Sequence, residues 1–107
     1  MALNNKSKFK AEELSLADFA KALGHPARIA ILLELAKRNE CICGEIVEVL
    51  PLAQSTVSQH LKELLQAGLI QGTVDGVKSC YCINQETFNR FEQMLGSFVA
   101  KTAGQCC

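Results

Sequence analysis

The sequence predicts a mainly α-helical α+β domain closed by one small β-hairpin. Three observations carry that expectation. Apolar residues recur at three- and four-residue spacing in several stretches, Gly or Pro punctuates the ends of those stretches, and one Asp-Gly dipeptide separates two runs rich in β-branched residues. A length of 107 residues leaves room for one domain with one modest core, which excludes a multidomain enzyme. The chain divides into an expected flexible arm over residues 1–10, a folded body over 11–101 and a short cysteine-containing tail over 102–107.

Each element follows from its residues. From Ala11, the residues Leu16, Phe19, Ala20 and Leu23 line one helical face, and Gly24 follows where a helix end favours a residue free of Cβ strain. Pro26 suits the first turn of a second helix, with Ile29, Leu32, Leu33 and Ala36 as its expected inward stripe. Lys37 and Arg38 close that helix with charges that favour the dipole's negative end. Residues 44–50 read as a short helix carrying Ile46, Val47 and Leu50 inward, stopped by Pro51. A further helix over residues 54–67 places Val57, Leu61, Leu64 and Leu65 on one face and ends at Gly68. Residues 69–74 and 77–83 flank Asp75-Gly76, the expected two-residue turn of the hairpin. Phe88, Phe91, Leu95 and Phe98 line a last helix reaching about Lys101.

Eleven Lys and Arg balance eleven Asp and Glu, so no global positive field points to nucleic acid or a membrane surface. No apolar stretch approaches the roughly 20 residues needed to span a bilayer, and the N-terminus lacks a signal-peptide pattern, so the expectation is a cytoplasmic protein with no membrane partner. The outlier is cysteine: six residues, in a chain without Trp. In a reducing compartment these are expected to be thiols rather than a disulfide framework.

A short helix, a tight turn and a polar-faced helix followed at once by a hairpin is the element order of a winged helix-turn-helix. The polar face of the second of these helices carries Gln54, Ser55, Thr56, Ser58, Gln59 and Lys62, short donors and acceptors suited to base edges and phosphates in a major groove. His60 is a further candidate on that helix, and Lys78 at the hairpin tip is a candidate phosphate contact. The expected partner is therefore double-stranded DNA, with no enzymatic role.

Four segments carry a family resemblance: Lys21-Ala22-Leu23-Gly24-His25-Pro26-Ala27-Arg28-Ile29-Ala30-Ile31-Leu32, Gly44-Glu45-Ile46, Gln54-Ser55-Thr56-Val57-Ser58-Gln59-His60-Leu61-Lys62 and Ala67-Gly68-Leu69-Ile70. Together they resemble the ArsR/SmtB family of metal-responsive transcriptional repressors over residues 14–100. The resemblance implies a homodimer built from the first and last helices, and so an interface at Leu16, Phe19, Leu23, Phe88, Phe91, Leu95 and Phe98. It also implies a repressor that sits on operator DNA and lets go when a metal or metalloid binds. Ala53 departs from the helix-capping Ser or Thr common in the family, a loss of about 1 kcal/mol. Zinc and cobalt sensors of the family use His and carboxylates on the last helix, and residues 85–101 contain no His and no Asp. Sensors of arsenic, antimony, cadmium and lead in the family place a Cys-x-Cys pair at the start of the third helix, and Cys41-Ile42-Cys43 resembles it, one residue early relative to Ile46.

Geometry restricts how that pair chelates. On a helix, residues i and i+2 lie about 200° apart, whereas on extended chain they share a face, so Cys41 and Cys43 bind one ion only outside a helix. Two thiolates are too few for a closed site. Further candidate ligands are Cys106 and Cys107 in the tail or, less favoured, Cys80 and Cys82 on the hairpin. Soft thiolates select thiophilic effectors, trivalent arsenic or antimony with three ligands or cadmium, lead or zinc with four; no organic cofactor is expected. Each pair has a bland alternative: Cys41 and Cys43 as small buried hydrophobes, Cys80 and Cys82 as sheet filling. Two other functions stay open, a repressor released by thiol oxidation and, from another class, a metal-handling protein or thiol oxidoreductase, against which stands the absence of Cys-x-x-Cys.

Overall fold

The computed structural model describes residues 8–38, 42–43, 53–75 and 78–104, with the backbone alone for Ile42, Cys43, Gln54, residues 73–75, Lys78 and Ser79. In chain order these form α1 (Ala11–Ala22), α2 (Pro26–Arg38), β1 (Ile42–Cys43), α3 (Gln54–Gln66), β2 (Ile70–Asp75), β3 (Lys78–Ile83) and α4 (Gln85–Thr102). The helix expected over residues 44–50 lies outside the described residues, as do Cys41, Cys106 and Cys107.

The helix ends explain much of the punctuation. At the start of α1 the Glu13 carboxylate accepts from the Lys10 amide at 3.0 Å, occupying a donor that no helical carbonyl reaches. Gly24 serves the end of α1 by proximity, since a Cβ there would stand 3.2 Å from the Lys21 carbonyl oxygen. Pro26 has no amide hydrogen to satisfy, and the next free amide, that of Ala27, donates to His25 Nδ1 at 3.0 Å. The end of α3 is a Schellman motif. Gly68 adopts φ +80, its amide donates to the Leu65 carbonyl, and the Leu69 amide donates to the Leu64 carbonyl, with Leu64 and Leu69 both fully buried against it. Asn84 caps α4 by accepting from the Thr87 amide.

Several helix faces differ from the expected stripes. In α2 the buried residues are Ala27, Ile31, Leu32 and Leu35, whereas Ile29 and Leu33 are exposed at 39% and 65%. Ala36 is also exposed. This helix is apolar nearly all round, so periodicity admits several stripes and packing against α3 and β3 selects one. In α1, Phe19 and Ala22 face inward and Ala20 outward. In α3, Val57, Leu61 and Leu64 are buried as expected, but Leu65 stands outside. The single core therefore runs from Phe19 and Ala22 through Ile31, Leu32 and Leu35 to Val57, Leu61, Leu64, Leu69 and Ile70.

The hairpin belongs to a three-stranded antiparallel sheet of order β1-β3-β2. Asp75 pairs with Lys78, so Asp75 is the last strand residue rather than part of the turn. The added strand is β1, whose Ile42 and Cys43 face Tyr81 and Cys80. Ile70 opposes Ile83 and Gly72 opposes Tyr81. Because side chains alternate along a strand, Ile70, Tyr81 and Ile83 fall on one face, and they are the sheet residues that meet the core.

Candidate nucleic-acid interface and cysteine ribbon

Helix α3 buries Val57, Leu61 and Leu64 on one side, which leaves a polar side to solvent. Ser55, Thr56, Ser58, Gln59 and Lys62 are all exposed there, and the first turn contains no acidic residue. Gln54 and Lys78 keep their expected places, at the first residue of α3 and the first residue of β3. A helix so equipped presents the kinds of donor and acceptor that major-groove contacts use.

His60 departs from expectation. It is 8% exposed, and its Nδ1 accepts from Arg28 Nε at 3.2 Å. Its ring lies 4.3 Å from that of His25, centroid to centroid. It therefore faces α2 rather than a groove, because the helical turn that places Val57, Leu61 and Leu64 in the core also turns position 60 towards the His25 corner. Burial, then the neighbouring His25 and Arg28, push its pKa below the usual 6.5, with Glu63 opposing. A neutral ring with an acceptor at Nδ1 is what the Arg28 contact requires.

Arg28 is a residue to which the sequence assigned no role beyond its place in a motif. Its Nη1 donates to the Lys21 and Ala22 carbonyls at 3.1 and 3.2 Å, so one side chain ties the end of α1 to α2 and, through His60, to α3. A cation at a helix C-terminus also meets the negative end of the dipole. The run from Lys21 to Arg28 thus sets the angle at which α3 is presented.

The expected dimer residues split into two groups. Phe19 is buried within the subunit and meets the Phe91 ring edge-on at 5.5 Å, while Leu23, Phe88 and Phe91 pack against the core. Leu16 is half-buried, and Leu95 and Phe98 are exposed, joined by Val99. The aromatic periodicity of α4 therefore serves the subunit's own core first and leaves an apolar strip at the helix's later turns.

Among the cysteines, the backbone of Cys43 lies on strand rather than helix, and its expected partner Cys41 lies outside the described residues. Cys80 and Cys82 are half-buried on β3, and both are disulfide-bonded, where thiols were expected. Among the side chains described, no three or more of His, Cys, Asp or Glu gather where they could hold a metal ion. No described helix is long and apolar enough to cross a membrane.

An exposed polar helix followed at once by a short antiparallel hairpin is the arrangement of a winged-helix protein. A family model described as "Bacterial regulatory protein, arsR family" matches residues 25–71. The chain is 38% identical over 90 residues to the arsenical resistance operon repressor of Bacillus subtilis (strain 168), spanning 81% of this chain and 85% of that protein. It is 41% identical over 64 residues to the HTH-type transcriptional repressor SmtB of Mycobacterium tuberculosis (strain ATCC 25618 / H37Rv), 60% of this chain and 47% of that one. The crystal structure of an ArsR family transcriptional regulator shares the fold, with a TM-score of 0.74 at 21% identity over 88% of this chain and 96% of the other. The chain belongs to the ArsR family, whose members are DNA-binding transcriptional regulators and not enzymes.

Proposed function

We propose that this protein is a dimeric repressor that holds operator DNA through the polar face of α3 and releases it when cysteine thiolates capture a thiophilic metalloid, trivalent arsenic. The observation that carries the DNA half is the exposed, acid-free run Ser55, Thr56, Ser58 and Gln59 on a helix anchored by Val57, Leu61 and Leu64. Those groups, with Gln54, Lys62 and the wing residue Lys78, supply the base-edge and phosphate contacts. The similarity to an arsenical resistance operon repressor and the placing of Cys43 on extended chain support the effector half. Dimerisation joins two helix-turn-helix units across the exposed strip of Leu95, Phe98 and Val99. Effector and operator then oppose each other by one coupling factor, felt equally by both ligands.

The test is release of a fluorescent operator duplex, measured by anisotropy while arsenite is titrated into the reduced protein. Arsenite should free the duplex from the wild type, and a Cys41→Ser, Cys43→Ser double variant should hold it; a wild type that never lets go refutes the effector reading. The disulfide-bonded state of Cys80 and Cys82 favours a second reading, release on thiol oxidation. Peroxide that frees the duplex without any metalloid would support it.

A further inference from the structure

The corner that holds α3 runs on two imidazole acceptors. His25 Nδ1 accepts from the Ala27 amide at 3.0 Å, and His60 Nδ1 accepts from Arg28 Nε at 3.2 Å. Each ring therefore keeps its proton on Nε2, and the two rings stand 4.3 Å apart, tilted by 44°. Arg28 spends its Nη1 on the Lys21 and Ala22 carbonyls at the end of α1. Among the described residues, the bond to His60 is what carries that side chain's hold across to α3.

Position makes that bond consequential for DNA. At about 100° per residue, Ser55, Ser58 and Lys62 fall within about 40° of the point diametrically behind His60. All three are exposed, whereas His60 is 8% exposed. Val57, Leu61 and Leu64 fix the depth of α3 by apolar burial, which has no direction of its own. The Arg28–His60 bond supplies the direction, acting from the back of the helix whose front carries the polar groups.

We propose, on the DNA half of the reading above, that His60 is a positioning residue for operator binding, and that one proton on its Nδ1 disconnects α3 from the α1–α2 corner and releases DNA. A protonated Nδ1 is a donor, so it faces the Arg28 Nε–H donor to donor, with two cations where there was one. Arg28 is half-buried and keeps its α1 carbonyls as it turns from His60, and α3 keeps its apolar seat. The domain stays folded while the reading face loses its restraint. Among the described residues, the charged and titratable groups around His60 are His25 from the corner, Arg28 from α2 and Glu63 on its own helix. Asp18 and Lys21 of α1 line the same cleft as Glu63. Burial first, then His25 and Arg28, oppose the charged ring, and of these groups Glu63 alone favours it, so the link holds at neutral pH and breaks below 6.5.

The sign of the pH effect separates this role from that of a DNA contact. The chain carries no net charge at pH 7, so acidification makes it positive and strengthens its attraction to phosphates. A His60 that touched DNA would add to that trend. As the link behind α3 it runs against the trend, weakening binding as the solution turns acid.

The test uses the full reduced chain with no metalloid and, as probe, a fluorescent duplex that the protein selects from a random pool at neutral pH. Affinity should fall by about tenfold on acidification, within the usual range of coupling between two ligands, with far-UV circular dichroism unchanged over the same range. By reciprocity the duplex should push protonation of the His60 ring, followed by NMR, to lower pH. His60→Asn sets an oxygen where Nδ1 stands and does not titrate, so its affinity should not fall in acid. His60→Leu offers no acceptor and should bind at neutral pH about as weakly as wild type does in acid. Wild-type affinity that holds or rises while His60 protonates overturns the proposal, as does an acid loss that persists in His60→Asn. Acid loss that tracks loss of the helix signal overturns it too, since release then reports unfolding. Should His60→Asn fail to fold, the wild-type ring decides: protonation at the same pH with and without duplex removes the link. A protein that selects no duplex at neutral pH refutes the DNA reading itself.

Discussion

Replacing Ala53 by Ser should stabilise the recognition helix and with it the whole domain. Ala53 holds the extended backbone of an N-cap, φ −65 and ψ 149, yet its side chain accepts no hydrogen bond. Its carbonyl already takes the Thr56 and Val57 amides at 3.0 and 3.1 Å, so the Ser55 amide is the donor a new hydroxyl would serve. An N-cap hydroxyl contributes about 0.5–2 kcal/mol over Ala, and with Thr56 already bonded the expected gain is about 1 kcal/mol. In a domain near 100 residues that gain raises the melting temperature by about 4 °C, the lower end of the usual range. The assay is thermal melting by circular dichroism at one fixed subunit concentration, since the Tm of the proposed dimer depends on concentration. Ala53→Val accepts the same backbone without offering an oxygen and should give no gain. Ala53→Ser melting at or below wild type, or Ala53→Val rising equally, would refute the capping argument.

Further outcomes follow from the same geometry. Leu64 is fully buried in the core, so Leu64→Ala should cost about 2–5 kcal/mol in chemical denaturation, and a cost under 1 kcal/mol would mean that α3 does not seat as described. The lowered pKa of His60 means that the folded state resists its protonation, so its contribution is full above pH 6.5 and lost as pH falls through the lowered value. His60→Gln should flatten that acid limb relative to wild type, and parallel pH profiles would remove His60 as the cause. Phe98→Asp places a charge in the exposed apolar strip of α4 and should yield monomers by sedimentation with operator binding lost; an unchanged dimer would move the interface elsewhere. Residues 41–70 carry one basic and three acidic side chains, so few phosphates are neutralised. With Lys62 and Lys78 from each of two subunits, the slope of log affinity against log salt should be about −4, and one steeper than about −7 would contradict it.

What could be read from sequence tracks the range of the interactions involved. The Schellman end at Gly68, the Pro26 start and the uncapped Ala53 are local events, and each stands where the residues place it. The polar face of α3 was legible because its apolar side is narrow and strictly periodic. The inward face of α2 was not, because Ile29, Leu33 and Ala36 satisfy a helical period as well as Ile31 and Leu35 do. His60 could have been placed inward by one available signal, its position on the same helical face as Val57, Leu61 and Leu64.

By itself the sequence determined the four described helices, the hairpin and the family motif, all consequences of hydrogen bonding and burial within a few turns of chain. Only the tertiary structure decided that Ile42 and Cys43 join the hairpin as a third strand, with Cys43 opposite Cys80 in the register. A two-residue strand carries no periodicity of its own. Its place is set by the edge hydrogen bonds that β3 offers and by the apolar contacts of Tyr81 and Ile83, groups brought together only when the chain closes on itself.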